Sequence, residues 1–563
     1  MRATRFSVSL RTSASKFSTH SVAEPPSTLE RVTNPGEAPV LVRVDRTVVV
    51  LLGLAGAAAL YYFYSRNEIL LSGDAVAHIN IARRVFDSRT PGPLQLGSVW
   101  LPLPHLLTIP FILSGRMWQS GIGGSIISVF SYVLAGLGLF RLLSIFSRAA
   151  AWFGIAVFAA NPNLLYVQTT ALNEPLYLAS FLWAVLYFLE AAQRLRRGDR
   201  QACASLEKGA IALTAAILVR YDGWFLAVVC WLSTSLCAAS AIAQMAKADL
   251  PPLRRAVFKA LLLTALGPAL WLSYNFGVYG SALDFATGPY SARAIAQRTT
   301  RQGAPPYPGE NQPITAGIYF TKAAQLNLGE GSAAKVLVLL ASIASVAFAV
   351  RRTWAPIVLL WSPLMFYSLS IAFGSVPIFL PVWWPFSYYN VRYGLELLPA
   401  IAAGLGLSVA LSQDFFRSQR LRFFLPIVVL CVVGVGYVQA WRAVPVCLRE
   451  VRVNGQARLE LDRQMAVVLK SIPPRSTVLA YTGAHSGAFE LAGFPLRQTI
   501  NEGNFFLWDA SLQHPATAAD YVIASDGDLV SHSVKEHSSG LNPIAEIEVA
   551  GQPRTIIYQS DSR

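Results

Sequence analysis

Apolar runs of roughly 15–26 residues recur along this chain, most of them long enough to cross ~30 Å of hydrocarbon. They fall near 47–65, 121–146, 149–167, 174–192, 207–221, 223–243, 257–276, 335–350, 354–373, 393–411 and 423–441. Backbone polar groups in lipid must be satisfied internally, so runs of this length read as helices. The expectation is an all-α polytopic membrane protein of about 11 transmembrane helices, with a small C-terminal α/β domain outside the membrane. The composition agrees: 54% of the 563 residues are hydrophobic and 14% are charged, against about a quarter charged in a soluble domain.

The net charge is +15, but Lys and Arg gather in short loops such as RLRRGDR (194–200) and RSQRLR (417–422). There is no basic helix with interleaved aromatics, so a membrane surface fits better than nucleic acid. The five cysteines have neither metal-ligand nor disulfide-framework spacing. Basic connections alternate with nearly uncharged ones. By the positive-inside rule the N-terminus is cytoplasmic, and the loops 66–120, 161–173, 277–334 and 374–392 are extracytoplasmic. The stretch 99–118 and the crowded 207–243 region are where a span is most easily miscounted.

Residues 1–46 lack apolar periodicity and read as a disordered cytoplasmic tail. The first 22 are basic and acid-free, which also suits a mitochondrial transit peptide. After the membrane domain, 47–441, the pattern changes. TVLAYTG (477–483), DYVIASD (520–526), AEIEVA (545–550) and RTIIYQ (554–559) read as short strands, and 456–470 has helical spacing. Residues 442–563 are therefore expected to form a soluble extracytoplasmic α/β domain. No glycine-rich phosphate loop follows a strand there, so no catalytic role is assigned to it.

LSGDAVAHINIARRVF (71–86) follows directly on the first apolar run. On a helix beginning near Gly73, Asp74, His78, Ile81 and Val85 fall within ~60° of one another, and Asn80, Arg83, Arg84 and Asp87 oppose them. Such a helix would lie along the membrane surface with its Asp74–His78 face inward. Taken singly, Asp74 reads as a helix cap and His78 as a packed histidine. A second lone acid, Glu174, opens another span in ALNEPLYL (171–178), and two acids at neighbouring span ends point to one shared site. Arg220 and Asp222 in LVRYDGW (218–224), and Arg392, Tyr393 and Glu396 in YYNVRYGLELLP (388–399), add charges at span ends. Intramembrane charges line a site or pair with one another; an Arg220–Asp222 or Arg392–Glu396 structural pair is the plainer reading. WLPLPHLL (100–107) adds His105 in a Pro-bracketed, re-entrant-looking stretch.

Together GDAVAHI, VWLPLPHLL, NEPLYLASFL, LVRYDGW, YNFGVYGSALDFATGPYSA (274–292) and NVRYGLELLPA (390–400) resemble, in order, the GT-C superfamily of polyprenyl-phosphate-sugar-dependent glycosyltransferases. The nearest types are protein O-mannosyltransferases and lipid A aminoarabinose transferases. The resemblance covers about 47–441. It implies an inverting transfer from a lipid-phosphate sugar to a glycan, lipid or protein acceptor, in a bacterial inner membrane. It also implies Asp74 as the base and Glu174 as the second acid. Many relatives carry adjacent acids in the first loop, whereas Ala75 follows Asp74 here. His78 or Glu174 then supplies the second polar group, and a divalent metal held by Asp74, Glu174 and His78 is left open.

Chemically, displacing phosphate from an anomeric carbon needs a carboxylate at the acceptor hydroxyl and cations at the departing oxygens. Arg220 and Arg392 are the expected phosphate-binding residues, with Arg84 and His105 behind them. His78, Asp222, Tyr393 and Glu396 are expected around sugar and acceptor. The alternative is a transporter or flippase for a lipid-linked or small polar solute, which predicts repeated halves with broken helices; no half-to-half similarity is evident. A structural membrane protein would leave the lone acids and arginines unexplained.

Overall fold

The computed structural model describes residues 38–245, 250–299, 305–415 and 418–561. Among these, ten helical stretches are long and apolar enough to span a membrane: Val44–Ser65, Ile122–Ser144, Glu174–Arg196, Ala202–Val219, Asp222–Ala243, Leu250–Tyr279, Ser332–Arg351, Ala355–Phe373, Val391–Gln413 and one beginning at Phe424. The chain is an integral membrane protein. The run expected at 149–167 is helical but broken into Arg148–Ala159 and Pro162–Val167. Asn161 causes the break: its Oδ1 caps the second piece by accepting from Asn163 and Leu164 N–H at 3.0 Å each. Pro162 sits at the first turn, where its missing N–H costs nothing. Within 99–118, Leu103–Ile112 forms a ten-residue helix, too short to span.

The expected tail needs a correction. Residues 1–37 lie outside the described residues, but helix Ala38–Ser65 already includes 38–46. An ion pair between Asp45 and Arg141 at 2.6 Å ties that extension to helix Ile122–Ser144.

Burial sorts the helices. The apolar window of Val391–Gln413 is 89% buried and that of Glu174–Arg196 78%, whereas Leu250–Tyr279 reaches only 28%. The first two are the central posts of the bundle. The last carries exposed Phe258, Leu262, Leu266, Leu270 and Phe276, a face that lipid solvates as readily as protein does.

At one end of the bundle, helix Val446–Ser471 leads into a five-stranded sheet: β1 (Val478–Ala480), β2 (Thr499–Ile500), β3 (Tyr521–Ser525), β4 (Leu541–Ile547) and β5 (Thr555–Ser560). The order is β2-β1-β3-β5-β4; β2, β1 and β3 are parallel, and β5 is antiparallel to both neighbours. Four of these strands match the sequence reading. The missed one, β2, has two residues, too few to show a period.

The orientation of helix Gly73–Arg84 also differs from expectation. It is sandwiched, because the side expected to face water packs under the sheet region. Ile79 and Ala82 join Leu461, Met465, Ala488 and Phe489 in one apolar cluster. Asn80 donates to Glu490 Oε2 at 2.6 Å and accepts from Trp118 Nε1 at 3.1 Å. Burial first, then the nearby Asp462 charge, holds the Glu490 carboxyl well above the usual carboxylate range, although the Asn80 bond and Arg458 oppose this.

Candidate active site

Asp74 does not cap its helix. Ser72 is the N-cap, its hydroxyl accepting from Ala75 N–H at 3.4 Å, which leaves the Asp74 carboxylate for other work. It is hydrogen-bonded to Arg392 Nη2. The same guanidinium donates from Nε to Glu174 Oε1 at 3.0 Å, and that oxygen also accepts from Arg220 Nη1 at 3.3 Å. The two lone acids thus converge through one arginine. The Asp74 side chain is 45% exposed and that of Glu174 1%, so one faces solvent space and the other sits behind it.

The network continues inward. Arg220 Nε lies 3.2 Å from Asp222 Oδ2 and 3.1 Å from Glu396 Oε1, and Nη2 donates to Tyr367 Oη at 2.7 Å. Tyr367 in turn donates to Glu396 at 2.8 Å. The Tyr393 ring lies between the two guanidinium carbons, 4.9 Å from that of Arg220 and 5.1 Å from that of Arg392, a cation–π arrangement that fixes both. The plainer Arg220–Asp222 pair therefore exists inside a larger network. Arg392 pairs with Asp74, Glu174 and Glu450.

Local sequence explains the placement. Both arginines belong to an Arg-Tyr step followed closely by glycine. A side chain at Gly223 would collide with the Ala216 carbonyl, so only glycine lets helix Asp222–Ala243 start so close to its predecessor. At Gly394 a Cβ would lie 2.5 Å from the Ala323 carbonyl carbon, and its absence lets the 3₁₀ turn Val391–Leu397 press Arg392 inward.

These groups edge a cavity of about 2660 Å³ between the bundle and the sheet region, lined by Asp74, His78, Arg84, Glu174, Arg220, Asp222, Arg392 and Tyr393, among others. Glu396 and His105 are completely buried behind that wall. His105 Nε2 and His78 Nδ1 are 2.9 Å apart, and the His78 ring lies 4.5 Å from that of Trp100. Burial first, then Arg392 and Arg220, pushes the His78 pKa down to about 3. His105 is lowered too, by burial and then by His78 and Arg84. Burial thus disfavours the charged form of both rings.

Arg84 lies ten residues beyond Asp74 on one helix, about 15 Å along the axis. It belongs to the far end of the cavity. A metal held by Asp74, Glu174 and His78 does not fit, because Arg392 bridges the two carboxylates and His78 is engaged by His105. Among the described residues, no three His, Cys, Asp or Glu side chains are placed to hold an ion.

Two members of the network escape a reading of the sequence. Glu450 accepts from Val391 N–H at 3.0 Å and approaches Arg392 at 3.7 Å, yet it lies in CLREVRVNG, which looks like a solvated helix. Tyr367 stands alone inside an apolar run, and its buried hydroxyl was the available signal.

No family model matches the chain, and no curated protein does. Solved structures do. ArnT from Cupriavidus metallidurans bound to undecaprenyl phosphate is similar at TM-score 0.54 and 12% identity, covering 92% of this chain and 98% of that one. The apo state of the same protein gives 0.54 and 13%, covering 90% and 97%. An Archaeoglobus fulgidus oligosaccharyltransferase tethered with an acceptor peptide is looser, at TM-score 0.44 and 13%, covering 85% and 69%. Over nearly its whole length, then, this chain shares the fold of ArnT from Cupriavidus metallidurans.

Proposed function

We propose that the protein is a membrane glycosyltransferase that moves a sugar from a polyprenyl-phosphate donor to an acceptor hydroxyl, with inversion. One observation carries the reading: a half-exposed carboxylate, Asp74, faces a large cavity while Arg392 holds it in register with Glu174. Undecaprenyl phosphate in ArnT, a protein of the same fold, supports the donor class. In the positive-inside arrangement the N-terminus is cytoplasmic, and the cavity with the sheet region is extracytoplasmic. A bacterial inner membrane suits that arrangement.

Asp74 takes the proton of the acceptor hydroxyl as its oxygen attacks the anomeric carbon opposite the phosphate. The carbon–oxygen bond to phosphate breaks, its electron pair leaves with the phosphate, and the anomeric configuration inverts. Arg392 and Arg220 lie on the cavity wall to meet the departing charge, and Glu174 keeps them aimed. Asp74→Asn should lower transfer by ~10²–10⁴-fold, the scale for a positioned base, while detergent-extracted protein stays monodisperse. Turnover near that of the unaltered enzyme would refute the assignment.

A further inference from the structure

The far wall of the cavity is built by the sheet region. The segments after β1 and β2 open into it through Tyr481, Thr482, Glu502, Gly503 and Phe505. In parallel sheets the carboxyl ends of strands are where ligands lodge. Glu502 accepts from Thr482 N–H and Oγ1 at 2.9 Å each and lies 3.8 Å from Arg84 Nη1, so a carboxylate already occupies the start of helix Thr482–Ala492. That position disfavours an anionic ligand.

Beside it, polar atoms are left over. The Gln95 amide donates to Thr90 O at 2.9 Å, Thr90 Oγ1 at 3.0 Å and Gly503 O at 2.9 Å, which fixes its orientation. Its Oε1 is buried with no hydrogen-bond partner among the described residues, and so is Arg84 Nε. Both side chains close over Gly503: a Cβ there would lie 2.9 Å from Gln95 Oε1 and 3.7 Å from Arg84 Nη1. Buried polar groups are rarely left unpaired, and each such group calls for a partner. The unpartnered acceptor lies over the glycine, and the side chain that carries the unpartnered donor lies beside it; a hydroxyl, which both donates and accepts, suits the two. Around them stand aromatic surfaces: Tyr481, Tyr290 and Phe505, whose ring centroid lies 6.1 Å from that of Tyr279.

We propose that Gln95, Arg84, Glu502 and the surrounding aromatics form a subsite for a neutral carbohydrate ring. The acceptor is then a glycan that reaches about 15 Å from Asp74, a span for several linked rings. This rests on the glycosyltransferase reading for its meaning but is tested apart from it, because binding is measured without donor.

The test is saturation-transfer NMR of the full chain in nanodiscs with a panel of neutral trisaccharides (gluco-, manno- and N-acetylglucosamine-based). We expect at least one to bind, with affinity about ten-fold weaker in Gln95→Ala, the scale of a lost hydrogen bond to a buried polar pair. Gly503→Ala, which fills the space and removes no polar group, should weaken binding likewise and covers the case in which Gln95→Ala fails to fold. Silence across the whole panel, or binding untouched by Gly503→Ala, overturns the subsite. Binding lost in Gly503→Ala without transfer activity in any variant would keep the subsite and sink the glycosyltransferase reading.

Discussion

Helix Gly73–Arg84 has two dissimilar ends. At its start, Asp74 joins a chain of charges in which Arg392 and Arg220 are held by several carboxylates at once. At its end, Arg84 has a single distant carboxylate and an unpartnered Nε. Paired charges in a low-dielectric interior are held in place, even though Glu174 Oε2 and Glu396 Oε2 lack a hydrogen-bond partner among the described residues. No such network of charges holds Arg84 at the other end. Under the proposed function and the proposed subsite, the start of the helix would orient reacting groups and its end would recognise a ligand.

Asp74→Asn is the largest test of that contrast, and its loss should fall on turnover and leave stability alone. Arg220→Ala attacks the paired end through folding. It strands Asp222 and Glu396 as buried, uncompensated acids and leaves Glu174 to Arg392 alone, and removing one partner of such a network costs about 3–5 kcal/mol. Thermal unfolding in detergent should show a collapse far exceeding that of Arg84→Ala. If the two variants unfold alike, the two ends do not differ as described.

A third test uses pH. His78 and His485 have folded pKa values near 3 and 4, both lowered mainly by burial, below the 6.5 of an unfolded histidine. Between those values the unfolded chain binds the extra protons, so stability falls as pH drops below about 6.5. Each histidine contributes up to about 1.4 kcal/mol per pH unit. Glu490, with its raised value, acts in the opposite sense, so the informative quantity is the difference between unaltered protein and His78→Gln. From pH 7 to pH 5 the unaltered protein should lose stability relative to His78→Gln; a constant gap would mean that His78 takes up its proton as readily in the fold as in the unfolded chain. The smallest effect is expected for Glu490→Gln. The amide mimics a neutral carboxyl and still accepts from Asn80, so stability at pH 7 should move by less than about 1 kcal/mol.

Much of this was legible in the chain because charge inside apolar sequence is conspicuous. Asp74, Glu174, Arg220 and Arg392 stand out as polar residues at span ends, and they do meet. The sheet region was readable where strands have three residues or more, and only the two-residue β2 escaped. What stayed hidden depends on partners far away in sequence. Asn80 and Arg83 look like a solvated face until Glu490, 410 residues on, and Trp118 cover them. Glu450 looks like an ordinary surface acid until Val391 and Arg392 arrive beneath it. The gap at Asn161 could be foreseen from Asn-Pro, yet the apolar content on both sides argued for an unbroken span.

Glu450 lies near the start of helix Val446–Ser471, whose later turns carry the apolar core under the sheet. One stiff rod of 26 residues therefore touches the reacting end of the cavity at Arg392 and supports the layer that forms the opposite end. The two ends of the cavity thus share one support, and its length sets the spacing between them.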